Sequence, residues 1–132
     1  MIIDKLKRLE TNLVTLKKIK GTYCYEDFLS DKIDEWGLRY GFFETIQLII
    51  DISSSIVAEK NLGMPKNYSE SVILLISNKY LTNDLGEQII KMIGLRNLIV
   101  QEYGIIDLKK LYEYLNHLKN IEDFVDEIKK LV

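Results

Sequence analysis

The stretch Phe42-Phe43-Glu44-Thr45-Ile46-Gln47-Leu48-Ile49-Ile50-Asp51-Ile52-Ser53-Ser54-Ser55-Ile56-Val57 decides the fold class. Phe42, Phe43, Ile46, Ile49, Ile50, Ile52, Ile56 and Val57 give a helix with a broad buried face. Tyr40, Glu44, Gln47, Asp51 and Ser55 run as a polar stripe opposite it. Period-two alternation bounded by turn residues is nearly absent along the chain, so strands are not expected. Outward from this stretch, the helix begins near Ser30 or Asp31 and continues to about Asn61. Leu62-Gly63-Met64-Pro65 ends it, with glycine near C′ and proline forbidding continuation.

The chain holds one proline, Pro65, and seven glycines, and such a scarcity of breakers favours long helices. Ile2, Leu6, Leu9, Leu13, Leu16 and Ile19 recur at threes and fours and predict a first helix from about Ile2 to Lys20. Gly21 then offers a left-handed stop. Asn67, with Glu70 three residues on, reads as the N-terminal cap of a short helix through about Lys79. Thr82 to Asp84 start the next long helix, which reaches roughly Tyr103 before Gly104 breaks the pattern. Asp107 caps the last, which carries Leu108, Leu111, Leu115, Leu118, Phe124 and Ile128 to the end. Short loops between long helices predict an all-α, up-and-down antiparallel bundle of four long helices plus a short one. No internal repeat or low-complexity linker divides the chain, and its 132 residues suit a single domain over 1–132.

Hydrophobic residues make up 47% and charged residues 29%, a balance that argues against disorder. The formal net charge is -2, so no global positive field recruits nucleic acid, and any RNA contact must come from a few local cations. The single cysteine, Cys24, excludes an internal disulfide and fits a reducing compartment; it is expected to be a small buried apolar residue. Asp4, Lys5, Lys7 and Arg8 interrupt the N-terminus, which lacks the apolar core of a signal peptide. Apolar runs such as Ile46 to Ile50 are too short to span a bilayer. A cytoplasmic protein without a membrane segment is expected.

The helix expected to start at Thr82 to Asp84 is unusual. Ile89, Ile90, Met92, Ile93, Leu95, Leu98, Ile99 and Val100 lie on nearly all of its sides, and a helix apolar all round is buried all round. In a small bundle one face meets the core and the other calls for a second subunit, so a homodimer is expected; Lys91, Arg96 and Asn97 are the alternative solvent face. The segment Arg96-Asn97-Leu98-Ile99-Val100-Gln101-Glu102-Tyr103 places polar groups within this apolar helix. Arg96 and Tyr103, seven residues apart, share a face, and Asn97 and Gln101 are neighbours. A buried arginine is costly unless it is paired or faces a ligand, and guanidinium suits bidentate phosphate binding. Two readings stand. Arg96 is structural, bonded to Glu44 or Asp51, with Tyr103 an interface aromatic; or Arg96 faces a phosphate.

The same segment resembles the signature of the HEPN superfamily in its HepT branch, Arg-Asn-x-x-x-His-x-Tyr. Other pieces fit the pattern in order: Arg39 in Leu38-Arg39-Tyr40-Gly41, the turn Leu62-Gly63-Met64-Pro65-Lys66-Asn67-Tyr68, Gly94-Leu95 before Arg96, Ile106-Asp107 after the motif, and Glu122-Asp123-Phe124 near the end. The resemblance covers roughly residue 25 onward. It implies the HEPN fold, and a homodimer whose motif residues line a cleft between subunits. It also implies a toxin that cuts RNA without a metal or other cofactor, paired with an MntA-like minimal nucleotidyltransferase antitoxin. By the same resemblance, Arg96 binds or polarises the scissile phosphate, Asn97 supports it, and Tyr103 is where the partner attaches AMP.

One position departs from the pattern: the motif histidine is Gln101. Imidazole titrates near about 6.5 and can move a proton at neutrality, whereas an amide only donates and accepts hydrogen bonds. General acid–base transfer contributes roughly 10²–10⁴-fold, so its loss predicts at most a slow nuclease. The only histidine, His117, is expected on the surface, and Glu102 points away from Gln101 by about 100° of helix rotation. Arg39 and Lys91 are the other candidate phosphate cations. Lys91 also reads as a solvated lysine, and Arg39 as a partner of Asp51 or Glu44. Metal-ligand spacings, a glycine loop for phosphates and a nucleophile elbow are absent. Two functions follow: a HepT-like ribonuclease toxin crippled at Gln101, or a catalytically inactive HEPN protein that docks a nucleotidyltransferase.

Overall fold

The computed structural model describes residues 1–101 and 108–132, with the side chain of Gln101 left aside. The described residues are helical, with no strand among them. The helices are α1 (Ile2–Thr22), α2 (Tyr25–Ser30), α3 (Lys32–Glu59), α4 (Tyr68–Ser77), α5 (Asn83–Gln101), α6 (Leu108–Glu113) and α7 (Leu118–Lys129). A single 3₁₀ turn, Tyr114–His117, joins α6 to α7.

Four long units make the bundle, as the periodicity predicts. α1 packs on α3 and α7, and α5 packs on the same two, so each long helix has two neighbours around one core. α4 is the short extra, lying across α3 and α5. Phe28, Phe42, Phe124, Leu9, Leu16, Leu38, Ile46, Ile49 and Leu75 are among the largest side chains that are fully buried. α3 is long and apolar enough to cross a bilayer, although its uninterrupted apolar runs are short; 56% of its most apolar stretch is buried inside the chain, the mark of a core helix.

The ends of the helices show which local signals hold. Asp31 caps α3, its carboxylate accepting from Ile33 N at 2.9 Å. Asn67 caps α4 by accepting from Glu70 N at 2.9 Å, as expected. At the C-terminus of α3, Leu62 N donates to Val57 O and Asn61 N to Ala58 O, a Schellman motif. Its left-handed residue is Asn61 at φ 53, not Gly63. α4 ends the same way: Tyr80 N donates to Leu75 O, Lys79 N to Ile76 O, and Lys79 sits at φ 64. Lys79 carries a Cβ where glycine costs least. Lys79→Gly is therefore expected to stabilise the chain by about 1 kcal/mol, read as a higher urea midpoint at unchanged slope. An unchanged or lower midpoint would show that the lysine tolerates the conformation at no cost.

Three expectations need correction. Gly21 does not stop α1, which runs through it to Thr22; Tyr23 follows in extended conformation (φ -108, ψ 140). α1 has its last buried residue at Leu16, so no packing forces a stop at Gly21. Cys24 is exposed, not buried. It precedes α2, a helix with no signal in the sequence beyond one buried residue, Phe28. Asp27 organises that turn by accepting from Cys24 N at 2.8 Å. The last long helix is not continuous, because the 3₁₀ turn interrupts it. Leu115, Leu118 and Ile121 are all buried and spaced by threes, which suits a stretch of three residues per turn. The expected cap Asp107 lies outside the described residues.

Candidate functional site

α5 presents Arg96 where α3 offers its polar stripe. Leu95, Met92 and Ile93 are buried and anchor α5 in the core, which leaves Arg96 half-buried at the edge. Its Nε donates to Gln47 Oε1 at 3.0 Å, and Nη1 to Asn97 Oδ1 at 3.2 Å. The guanidinium carbon lies 5.2 Å from the Phe43 ring and 5.7 Å from the Tyr68 ring. Both are cation–π distances, so the charge is shielded from water without being neutralised. Gln47 Nε2 in turn donates to Asp51 Oδ1 at 2.9 Å, and Lys5 Nζ stands 3.8 Å from Asp51 Oδ2.

Of the two readings of Arg96, the one that pairs it with Glu44 or Asp51 finds no such ion pair among the described residues. Glu44 is taken by Arg8, whose Nε is 2.7 Å away, with Asn12 adding a bond at 3.4 Å. The hydrogen bond from Arg8 holds the Glu44 carboxyl below the ordinary carboxylate range, against a smaller opposing effect of burial. Asp51 reaches Arg96 only through Gln47. Among the described residues, no carboxylate forms an ion pair with Arg96. Such an arginine carries its full charge to whatever occupies the face it borders, and guanidinium is matched to phosphate.

Of the other candidates, Asn97 is half-buried and bonded to Arg96, so these two are brought together. Lys91 is exposed. Arg39 is half-buried with its Nε 3.0 Å from Glu35 Oε2 on its own helix, rather than on Glu44 or Asp51. His117 is exposed, its ring 5.7 Å from that of Tyr114. Tyr103 and Glu102 lie outside the described residues, and nothing is placed for the side chain of Gln101. Among the described residues, no group of His, Cys, Asp and Glu is clustered to hold a metal.

Three members of the site were not singled out from the sequence: Phe43, Gln47 and Tyr68. Phe43 reads as a core residue by periodicity but is half-buried and faces Arg96. Gln47 is visible as part of the polar stripe, and Phe43 with Gln47 at i, i+4 is a recognisable neighbour pair. Tyr68 has no local signal, since it comes from the N-terminus of α4. α5 is not buried all round within one chain: Leu98 and Val100 are 37% and 42% exposed, on a face that the core leaves uncovered.

Comparison with known proteins gives the family and the fold. The family model described as Ribonuclease HepT-like matches residues 9–128. The chain is 36% identical to the mRNA nuclease HepT of Shewanella oneidensis over 98% of this chain and 96% of that protein. Its fold superposes with a TM-score of 0.88 on the tri-AMPylated Shewanella oneidensis HEPN toxin in complex with MNT antitoxin, at 27% identity, covering 98% and 96% of the two chains. The cytosolic protein YutE of Bacillus subtilis shares the fold at a TM-score of 0.85, 23% identity and coverages of 98% and 87%. The match across nearly the full length, in sequence and in helical architecture, means that this chain belongs to the HepT-like ribonuclease family.

Proposed function

We propose that the chain is the toxin component of a toxin–antitoxin pair, a metal-independent endoribonuclease of one HEPN domain that works in the cytoplasm as a homodimer. An MntA-like nucleotidyltransferase restrains it. The observation that carries this reading is Arg96: half-buried, flanked by two aromatic rings, bonded to two amides and unpaired with any described carboxylate. With no described carboxylate beside it, the guanidinium keeps its whole charge for an anion, and its planar fork is matched to phosphate. An arginine left in this state is set for a phosphate.

In this mechanism Arg96 binds the scissile phosphate of RNA and stabilises the charge that grows on its oxygens as the 2′-oxygen bonds to phosphorus and the 5′-oxygen departs, with solvent water taking the 2′-hydroxyl proton and returning one to the leaving 5′-oxygen. Asn97 fixes one edge of the guanidinium. Gln101, one turn on from Asn97, orients the attacking or leaving oxygen by hydrogen bonding but moves no proton. Lys91 on the same helix, and Arg39, add to the local positive field. The exposed Leu98 and Val100 supply the face on which a second copy packs, bringing two such sites together. A second reading, an inactive HEPN partner that docks the transferase, is favoured by one observation, the amide at position 101.

The restraint acts by AMP transfer to Tyr103. Incubation of the chain with its cognate nucleotidyltransferase and labelled ATP is expected to label the parent and not Tyr103→Phe. Labelling of both to the same stoichiometry would remove Tyr103 as acceptor, and no label on either would remove the pairing.

A further inference from the structure

We infer that Gln47 is a positioning residue for Arg96, one that aims the guanidinium without neutralising it, and that Asp51 sets which way the Gln47 amide faces. The inference rests on the ribonuclease reading above and gives Gln47 a role that this reading does not assign.

The amide of Gln47 bridges two charged groups of opposite sign. Asp51 can only accept, so it draws the NH2 of Gln47, at 2.9 Å from Nε2 to Oδ1. The carbonyl oxygen is thereby turned toward Arg96, where it accepts from Nε at 3.0 Å. Reversal of the amide would place oxygen against carboxylate and NH2 against guanidinium, so the chain of bonds has one favourable direction. Lys5, 3.8 Å from Asp51 Oδ2, partly offsets the carboxylate and ties α1 to the same line. Gln47, Asp51 and Phe43 all sit on α3, a rigid helix in the bundle core, with Phe43 one turn before Gln47. Phe43 meets the guanidinium at 5.2 Å, so α3 fixes Arg96 through both an edge and a face.

An amide rather than a carboxylate at position 47 is what keeps the guanidinium charged toward a ligand. A glutamate there would satisfy Arg96 more strongly, as a charge-assisted bond is roughly twice as strong as a neutral one. It would also cancel the charge that a phosphate needs. Glutamine gives direction and leaves the charge whole. The acidic groups nearest in sequence on α3, Glu44 and Asp51, are occupied by Arg8 and by Gln47 with Lys5.

The test is binding of a fluorescent single-stranded RNA of mixed sequence, by anisotropy, across a range of salt concentrations. Parent, Arg96→Ala, Gln47→Glu and Gln47→Leu are compared, with thermal unfolding as the check of folding. Gln47→Glu is expected to bind roughly tenfold more weakly. Its slope of log K against log salt should be shallower by about 0.7 for each phosphate that the protein no longer neutralises. A residue that only supports the fold would leave this slope unchanged. Gln47→Leu, which frees the guanidinium without adding charge, is expected to weaken binding less and to keep the slope. If Arg96→Ala weakens binding and Gln47→Glu leaves affinity and slope at parent values, the inference is overturned while the ribonuclease reading stands. If Arg96→Ala itself binds like the parent, the ribonuclease reading fails with it. Should Gln47→Glu not fold, parent-like affinity in Gln47→Leu overturns the inference on its own.

Discussion

Replacing Gln101 by histidine is expected to raise RNA cleavage by roughly 10²–10⁴-fold over the parent chain. The size of the effect follows from what each side chain can do. Attack of a 2′-hydroxyl on the neighbouring phosphate requires a proton to leave the nucleophile and another to reach the departing oxygen. An amide holds its protons throughout the accessible pH range and can only orient these atoms. Imidazole, with an ordinary value near about 6.5, is present in both forms at neutrality and can serve either step. Arg96 and Asn97 are already in mutual contact on α5, and Arg96 is fixed to α3 through Gln47, so the histidine would enter a site where the group proposed to bind phosphate is already held in place. Initial rates on a labelled RNA, with Gln101→Asn as the control for side-chain change alone, provide the measurement. Equal rates for Gln101→His and parent would show that proton transfer in this chain runs through another group. The histidine variant should also show a pH dependence near neutrality that the parent lacks.

The second large effect concerns stability and the seating of α4 against α5. A Cβ built at Gly86 falls 2.2 Å from Ile76 Cδ1 and 2.4 Å from Cγ1. A side chain at Gly86 enters only if the tip of the half-buried Ile76 side chain turns aside. In an open helix position, glycine is the costly residue, and alanine would gain about 1 kcal/mol. Here overpacking, at roughly 1–3 kcal/mol, outweighs that gain. Gly86→Val adds two more carbons and a restricted χ1, and is expected to cost about 3 kcal/mol, a fall in Tm of roughly 10 °C. Gly86→Ala should fall between the two. A parent-like or higher Tm for Gly86→Ala would mean that Ile76 swings aside freely. The effect reaches the site by geometry: α4 begins at Tyr68, whose ring flanks Arg96, so displacement of α4 loosens the aromatic face of the guanidinium.

The helices themselves were legible in the sequence because their causes are local. The spacing of Ile46, Ile49, Ile50, Ile52, Ile56 and Val57 sets the buried face of α3, and Asn67 with Glu70 sets the start of α4. The Arg96-Asn97 motif and its place on an apolar helix were equally plain, since the signature is contiguous. Signals that hang on one residue did worse. Gly21 is compatible with a stop but does not impose one, and Asn61 and Lys79 take left-handed conformations that glycine would take at lower cost. Cys24 was misplaced because its exposure depends on how α1 turns into α2, and no periodicity reports that.

What the sequence by itself determined is a bundle of four long helices and a family motif carried on the third of them. What only the tertiary structure decided is who holds the arginine. Glu44, Gln47 and Asp51 share one stripe and are equally plausible partners by spacing, because side chains at i, i+3 and i+4 differ little in direction along a helix. The choice was made from outside α3: Arg8 of α1 takes Glu44, Lys5 of α1 stands beside Asp51, and Gln47 is left to receive Arg96. A pairing set by three helices at once cannot be read from the order of residues along any one of them.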